Sequence, residues 1–184
     1  MQAVYHQEKS LHWYGVRIFY NRVARFASIL EDRSVRYFLP MHTVEKRIGE
    51  KIVAVREPLV GSLIFVQSTE GELRELLSKF GSGIAVYTDP ADKHPAEIPA
   101  AQMETFMQLC SLTDSGLEYL GEDAPEYHCG DRVRVTQGLF KGLEGHIKRI
   151  RHDRRLIVTV EGIAAFATGF ISPADLEKMT DVRS

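Results

Sequence analysis

Apolar residues recur along this chain at helical spacing in three places and at strand spacing through most of the rest. Leu11 to Phe19 reads as a strand, with His12, Trp13 and Tyr14 near its start. Val23, Phe26, Ala27 and Leu30 then fall at i, i+3, i+4 and i+7, the stripe of a helix that Asn21 is placed to cap, with Arg22, Arg25 and Arg33 on its other face. Val35 to Leu39 predicts a short strand stopped by Pro40, and the alternating segment from His42 to Arg56 predicts a long hairpin turning at Gly49. The near-continuous apolar run PLVGSLIFVQST, Pro58 to Thr69, belongs in the middle of a sheet. Thr69 and Glu72 have capping-box spacing ahead of Leu73, Leu76, Leu77 and Phe80, and Gly81 supplies a stop, so residues 70–80 are predicted helical. A strand from Ile84 to Tyr87, a proline-bearing loop, and a third helix from about Ala100 to Cys110 burying Met103, Phe106, Met107 and Cys110 complete the set. The order βαβββαβα describes an α+β domain, an antiparallel sheet flanked by helices.

From residue 129 the period changes. Val133 and Val135 alternate with Arg132, Arg134 and Thr136, Ile147 and Ile150 flank a second apolar run, and Leu156 to Val160 supplies a β-branched third. Gly138, Gly142 and Gly145 punctuate the first connection at spacings no helix favours, which points to turns with positive φ or to a close approach of two backbones. Short strands joined this tightly predict a small all-β barrel, a shape that hides its own edges. The segment before it, SLTDSGLEYLGEDAPEYH, is acidic and marked by glycine and proline, so it reads as a linker in which Leu117, Tyr119 and Leu120 have the means to dock on a neighbour. The expected organisation is therefore a flexible tail at 1–10, an α+β domain at 11–110, a linker at 111–128 and a barrel at 129–184.

Composition sharpens this picture in two respects. With 184 residues and 44% hydrophobic content the chain can bury two cores, yet no run approaches the roughly 18 apolar residues of a membrane span, and the N-terminus lacks a signal-peptide core, so a cytoplasmic monomer without membrane contact is expected. The net charge of -2 hides a strong asymmetry: residues 1–56 hold ten Lys or Arg against five acids, residues 57–128 three against thirteen, and residues 129–184 ten against seven. A basic first third beside an acidic middle suits surfaces aimed at different partners, although solvated faces with no target would look the same.

Catalysis finds little support. The seven histidines at 6, 12, 42, 94, 128, 146 and 152 form no zinc-protease spacing, no nucleophile elbow occurs, and no glycine-rich phosphate loop precedes a helix. Cys110 and Cys129 are too few for a disulfide framework or a four-ligand zinc site and are expected to be reduced and structural; no metal or cofactor is expected. The barrel is basic through Arg132, Arg134, Lys141, Lys148, Arg149, Arg151, Arg154 and Arg155, but only Phe140 interleaves an aromatic, which favours a protein partner or weak, nonspecific RNA contact over sequence-specific RNA binding. The charged run RHDRR at 151–155 reads equally well as a solvated hairpin tip.

The segment GDRVRVTQGLFKGLEGHIKRIRHDRRLIVTV at 130–160, with Gly138, Phe140, Gly142 and Gly145, reads as a KOW motif. Together with the opening HWYGVR, FLPM at 38–41, the strand Pro58 to Val66 and the helix start IPAAQM, it resembles the NusG family of transcription elongation factors from Leu11 to Met179. Housekeeping members usually carry F-P-G-Y where this chain has Val60, Gly61, Ser62 and Leu63; the forms PLVGSLIFVQST and DRRLIVTVEGIAAFAT look most like the UpxY-type paralogues, antiterminators of polysaccharide operons.

That resemblance implies an N-terminal domain that binds the clamp helices of the RNA polymerase largest subunit through an apolar depression and reaches the gate loop of the second-largest subunit. Matched by position, the depression would hold Leu63, Phe65 and Tyr14, with Leu63 standing where the family has tyrosine, and the start of the second helix, from Thr69, would face the gate loop. Arg22 and Arg25 sit where the family presents positive charge to upstream or non-template DNA, and recruitment through nascent RNA is the alternative. The KOW barrel would bind a further protein. A housekeeping factor acting with Rho and a ribosomal KOW protein remain the rival readings, the second disfavoured by a pI of about 6.4.

Overall fold

The computed structural model describes residues 10–112, 116–150 and 152–179, so the expected tail lies almost wholly outside the described residues. Two compact units emerge, one running to Phe38 and resuming over Ser62–Pro99, the other formed by Leu39–Gly61 and the chain from Ala100 onward.

In the first unit, strand β1 (His12–Ile18) leads into helix α1 (Val23–Asp32) and strand β2 (Arg36–Phe38). Val23, Phe26, Ala27 and Leu30 are the buried residues of α1, as their spacing predicts. The cap is different from expectation: Tyr20 and Asn21 both take left-handed backbone, φ +62° and +53°, and Arg22 becomes the N-cap without a side-chain capping bond. Two consecutive non-glycine residues at positive φ turn the chain so sharply that Asn21 is spent on the turn and cannot reach the helix.

Strands β3 (Met41–Ile48) and β4 (Lys51–Pro58), both in the second unit, pair with each other in unbroken register and form a two-stranded sheet of their own. Back in the first unit, β5 (Leu63–Ser68) is followed by α2 (Glu70–Phe80), β6 (Ile84–Val86) and β7 (Glu97–Ile98). The sheet order is β2-β5-β1-β6 with β7 also on β1, which puts β5 in the interior as its apolar run requires. The strand starts only at Leu63, because Leu59 to Ser62 is spent in a bend and a turn. The capping box at α2 is complete, with Thr69 Oγ1 accepting from the Glu72 backbone at 3.2 Å and the Thr69 backbone donating to Glu72 at 3.4 Å, and Gly81 closes the helix at φ +85°.

The second unit also contains helix α3 (Ala100–Leu112), which buries Met103, Phe106 and Leu109; Met107 and Cys110, expected inside, are only half-buried because the buried stripe runs one position further round the helix. Strand β8 (Glu118–Gly121) falls within the segment expected to be a linker, and a short 3-10 turn over Pro125–His128 follows it. Then come β9 (Arg132–Val135), β10 (Glu144–Ile150), β11 (Asp153–Val160), β12 (Ala164–Phe170) and β13 (Leu176–Lys178), all antiparallel in the order β13-β9-β10-β11-β12-β8. This all-β region is consistent with the small barrel read from the sequence. Helix α3 packs on it: the Phe106 and Phe166 rings lie 4.4 Å apart, Tyr119 is 5.6 Å from Phe166, and the Glu161 amide donates to Gln102 Oε1 at 3.1 Å. Residues 153–155 of the charged run belong to β11, so the exposed tip is narrower than the sequence suggests.

Candidate functional site

Register decides which of the expected interface residues share a surface. Tyr14 pairs with Val66, Gly15 with Phe65 and Arg17 with Leu63 across β1 and β5. Directly paired residues of antiparallel strands point the same way and successive residues point opposite ways. Leu63 and Phe65 therefore lie on one face with Trp13, Gly15 and Arg17, and Tyr14 lies on the other with Val16, Ile18, Ile64 and Val66. The structure brings Leu63 and Phe65 together and separates Tyr14 from both. All three are buried: Leu63 is 2% exposed, Phe65 0% and Tyr14 1%.

The Leu63–Phe65 face is bounded by two arginine–aromatic pairs. Arg17 donates to the Tyr87 hydroxyl at 2.8 Å and lies 5.2 Å from its ring centroid. At the other end Arg36 sits 5.3 Å over Trp13 and donates to Gln67 Oε1 at 3.1 Å. Cations over aromatic faces hold both rings in place while keeping charge at the rim.

Tyr14 points to a separate polar cluster. Its hydroxyl donates to Glu97 Oε1 at 3.5 Å, and burial, with the charges of Glu97 and Glu70, pushes the phenol up to about 12. His12 Nδ1 lies 3.1 Å from Glu97, and His94 Nδ1 3.3 Å from Glu70. Arg74 and His94 hold the Glu70 carboxyl below the usual carboxylate range through their hydrogen bonds. Because Glu70 opens α2, that helix begins on the Tyr14 side of the sheet, and Thr69 is its cap. Nothing local in the sequence flagged Glu97, which is 83 residues from Tyr14 and meets it only through the β1–β7 pairing.

Arg22 and Arg25 differ sharply. Arg22 reaches from the start of α1 to the carbonyl of Ser82, bonds to Phe19 O at 3.5 Å, and covers Phe80 at 5.2 Å, so its guanidinium is committed within the fold. A Cβ at Gly83 would strike that guanidinium. Arg25 is exposed, with its guanidinium 5.6 Å from the Phe80 ring.

In the barrel, Gly138 and Gly142 take φ +77° and +91° in the β9–β10 connection, while Gly145 has ordinary φ and instead allows close approach, since a Cβ there would strike the Ile157 carbonyl oxygen. Phe140 is half-buried in that connection. Several cations that made the barrel look basic are paired internally: Arg134 with Glu144 at 2.6 Å, Arg132 with the same carboxylate at 3.4 Å, Arg155 with Glu118, and Lys148 donating to Glu126 O at 3.0 Å beside the Tyr127 ring. Arg151 lies outside the described residues. His146 is half-buried, 6.0 Å from the His128 ring. Cys110 is held up to about 12 by burial, Cys129 is exposed, and both are unpaired thiols. Among the described residues no group of three His, Cys, Asp or Glu is placed to hold a metal, and no helix is long and apolar enough to cross a membrane.

The chain is thus an antiparallel α+β sheet region followed by a glycine-punctuated all-β region. The family model described as transcription termination factor nusG matches residues 11–107, and the KOW motif matches residues 129–161. The chain belongs to the NusG family. A solved structure described as "Domain interaction in Thermotoga maritima NusG" is 18% identical, with a TM-score of 0.49, over 93% of this chain and 98% of that one. No curated protein matches the chain. The family's domains are non-enzymatic modules of transcription elongation and termination, and its members bind RNA polymerase.

Proposed function

We propose that this chain is an elongation factor of the antitermination type, which binds RNA polymerase through residues 11–110 and suppresses pausing or termination on polysaccharide-biosynthesis operons. The family match across 11–107 carries the polymerase part of this reading. Its UpxY-like sequence forms, from Pro58 to Thr69 and from Asp153 to Thr168, carry the operon restriction.

In this reading the clamp helices of the largest subunit pack on the Leu63–Phe65 face, an apolar pair rimmed by Arg17 and Arg36, and the α2 start at Thr69 faces the gate loop of the second-largest subunit. Tyr14 supports that start from behind through Glu97 and Glu70 and takes no part in the contact. Both apolar anchors are buried as the chain stands, so engagement requires that face to be uncovered. The factor then needs only a higher affinity for the closed clamp than for the open one, and a tenfold preference corresponds to about 1.4 kcal/mol. Of the two arginines expected on DNA, Arg25 is the one free to meet non-template phosphates. The barrel, with Arg132, Arg134, Lys148 and Arg155 engaged internally, serves a protein partner better than RNA.

The test is in vitro elongation on templates with and without the leader of a polysaccharide operon, scored as pause lifetime and read-through. Suppression on that leader alone supports the reading. Action on every template would favour the housekeeping factor acting with Rho, and no action on any would end the antitermination reading.

A further inference from the structure

We propose that the open edge of β4 is a self-association surface, on which β4 pairs antiparallel with β4 of a second copy of this chain. β3 and β4 pair with each other from Met41–Pro58 to Ile48–Lys51 and, among the described residues, with no other strand. A ribbon of two strands is marginal by itself and gains stability as part of a wider sheet. Each open edge carries a row of backbone N–H and C=O groups that a further strand would satisfy.

Hairpin geometry says which groups those are. Gly49 and Glu50 form a two-residue turn, with Gly49 at φ +64°, so Ile48 and Lys51 are the hydrogen-bonded pair that closes it. Alternation from there turns the amides and carbonyls of Lys51, Val53, Val55 and Glu57 toward β3 and those of Ile52, Ala54 and Arg56 away from it. Among the described residues, none of these last three makes a backbone hydrogen bond outside the hairpin. Ile52 is 69% exposed, and Ala54 and Arg56 are exposed as well. On β3 the outward row is Thr43, Glu45 and Arg47, with two charges to guard it, whereas on β4 only Arg56 is charged. Charged side chains are what keep an edge from pairing, so β4 is the edge left open.

The side chains of β4 match themselves when the strand is reversed. Lys51, Val53, Val55 and Glu57 follow one another along one face. An antiparallel pair of β4 strands centred on Ala54 sets Lys51 against Glu57 of the second copy and Val53 against Val55, with the reverse pairs following by symmetry, as a two-fold contact requires. Cross-strand pairs of opposite charge and of β-branched residues are among those that favour strand pairing. The same register sets Ile52 against Arg56 and Ala54 against itself. These are the outward-turned residues, so backbone and side chains call for one alignment, which supplies about six inter-chain hydrogen bonds. Within its own chain Glu57 meets Lys46 through Oε2, while Oε1 lies 3.9 Å from His42 and can still accept from Lys51 of the second copy.

This inference does not rest on the proposed function, and its test needs no polymerase. The experiment is sedimentation velocity of the full chain over a wide range of concentration. The wild type should pass from monomer to dimer as concentration rises. Ala54→Pro removes the central outward N–H, costs the hairpin no internal hydrogen bond, and should hold the chain monomeric. Glu45→Pro, the same change on the β3 edge, should leave the dimer intact. Lys51→Glu sets like charges together at both ends of the contact and should weaken the dimer about tenfold or more, and adding Glu57→Lys restores opposite charges and should recover most of that loss. Melting curves that match the wild type show which variants fold, and the charge exchange decides the matter if a proline variant does not. A wild type that stays monomeric at every concentration overturns the proposal. A dimer indifferent to Ala54→Pro, lost equally with Glu45→Pro, or not recovered by the charge exchange assigns association to another surface and overturns it as well.

Discussion

Tyr14 and Phe65 sit on adjacent strands one register step apart and face opposite sides of the sheet, because Phe65 pairs with Gly15 and Tyr14 pairs with Val66. One side carries the candidate polymerase surface and the other the polar cluster that receives the Tyr14 hydroxyl. Substitutions at the two positions should therefore have separable effects.

The raised phenol of Tyr14 makes a pH prediction. A folded value of about 12 against an ordinary 10 means that the fold favours the neutral form. The associated stability is full below pH 10 and is lost as pH rises from 10 towards 12, by up to about 1.4 kcal/mol per pH unit. Urea unfolding at pH 9, 10, 11 and 12 should show wild type weakening relative to Tyr14→Phe across that window, and parallel curves would refute it.

The capping box gives a smaller, cleaner effect. Thr69→Ala removes the acceptor for the Glu72 amide and should lower stability by about 1 kcal/mol, read as a shift in urea midpoint with unchanged slope. Serine at the same position should restore most of it.

The two arginines of α1 should part company. Arg22→Ala loses bonds to two backbone carbonyls and contact with Phe80, for about 1–2 kcal/mol of stability. Arg25→Ala should change stability by less than about 0.5 kcal/mol. If Arg25 meets non-template phosphates, its removal lowers the salt slope of binding to an elongation complex by about one unit.

In the barrel, Gly145→Ala, within β10, should be more damaging than Gly138→Ala or Gly142→Ala in the connection before it, at about 2–3 kcal/mol, because the added methyl meets the backbone of β11, which cannot rotate away. Gly138→Ala has open space and pays only for its positive φ, about 1 kcal/mol. Thermal melts of the full chain followed by circular dichroism should rank the two in that order.

Residues 116–179 expressed alone should melt higher than residues 127–179, because only the longer piece contains β8 and the Glu118–Arg155 ion pair. Equal melting temperatures would show that β8 adds nothing to the barrel.

Local signals carried the fold a long way. The α1 stripe, the α2 capping box with its Gly81 stop, the turn at Gly49 and the KOW glycines each rest on neighbours within a few residues, where periodicity and turn chemistry operate. What escaped was non-local. Strand β8 looks like a linker because its residues are acidic and flanked by glycine, and only pairing with the distant β12, Glu118 with Ala167 and Tyr119 with Phe166, makes it a strand. The placement of Tyr14 beside Leu63 and Phe65 failed for a related reason: sequence shows which strands are apolar but not which residue of one stands opposite which of the other. Arg22 looked like a solvent-facing charge because its acceptor, Ser82, is 60 residues away.

The barrel's strand order also sets the sequence of events by which it forms. β9, β10, β11 and β12 are a meander of neighbours, whereas β8 must find β12 and β13 must find β9 across three intervening strands or their connections. Closing the long loops is entropically dearer than zipping the short ones, so the meander assembles first and the two end strands join late. Amide protons of Glu118 to Gly121 and Leu176 to Lys178 should accordingly exchange with solvent well ahead of those in β10 and β11, and the barrel should open from its two ends inward.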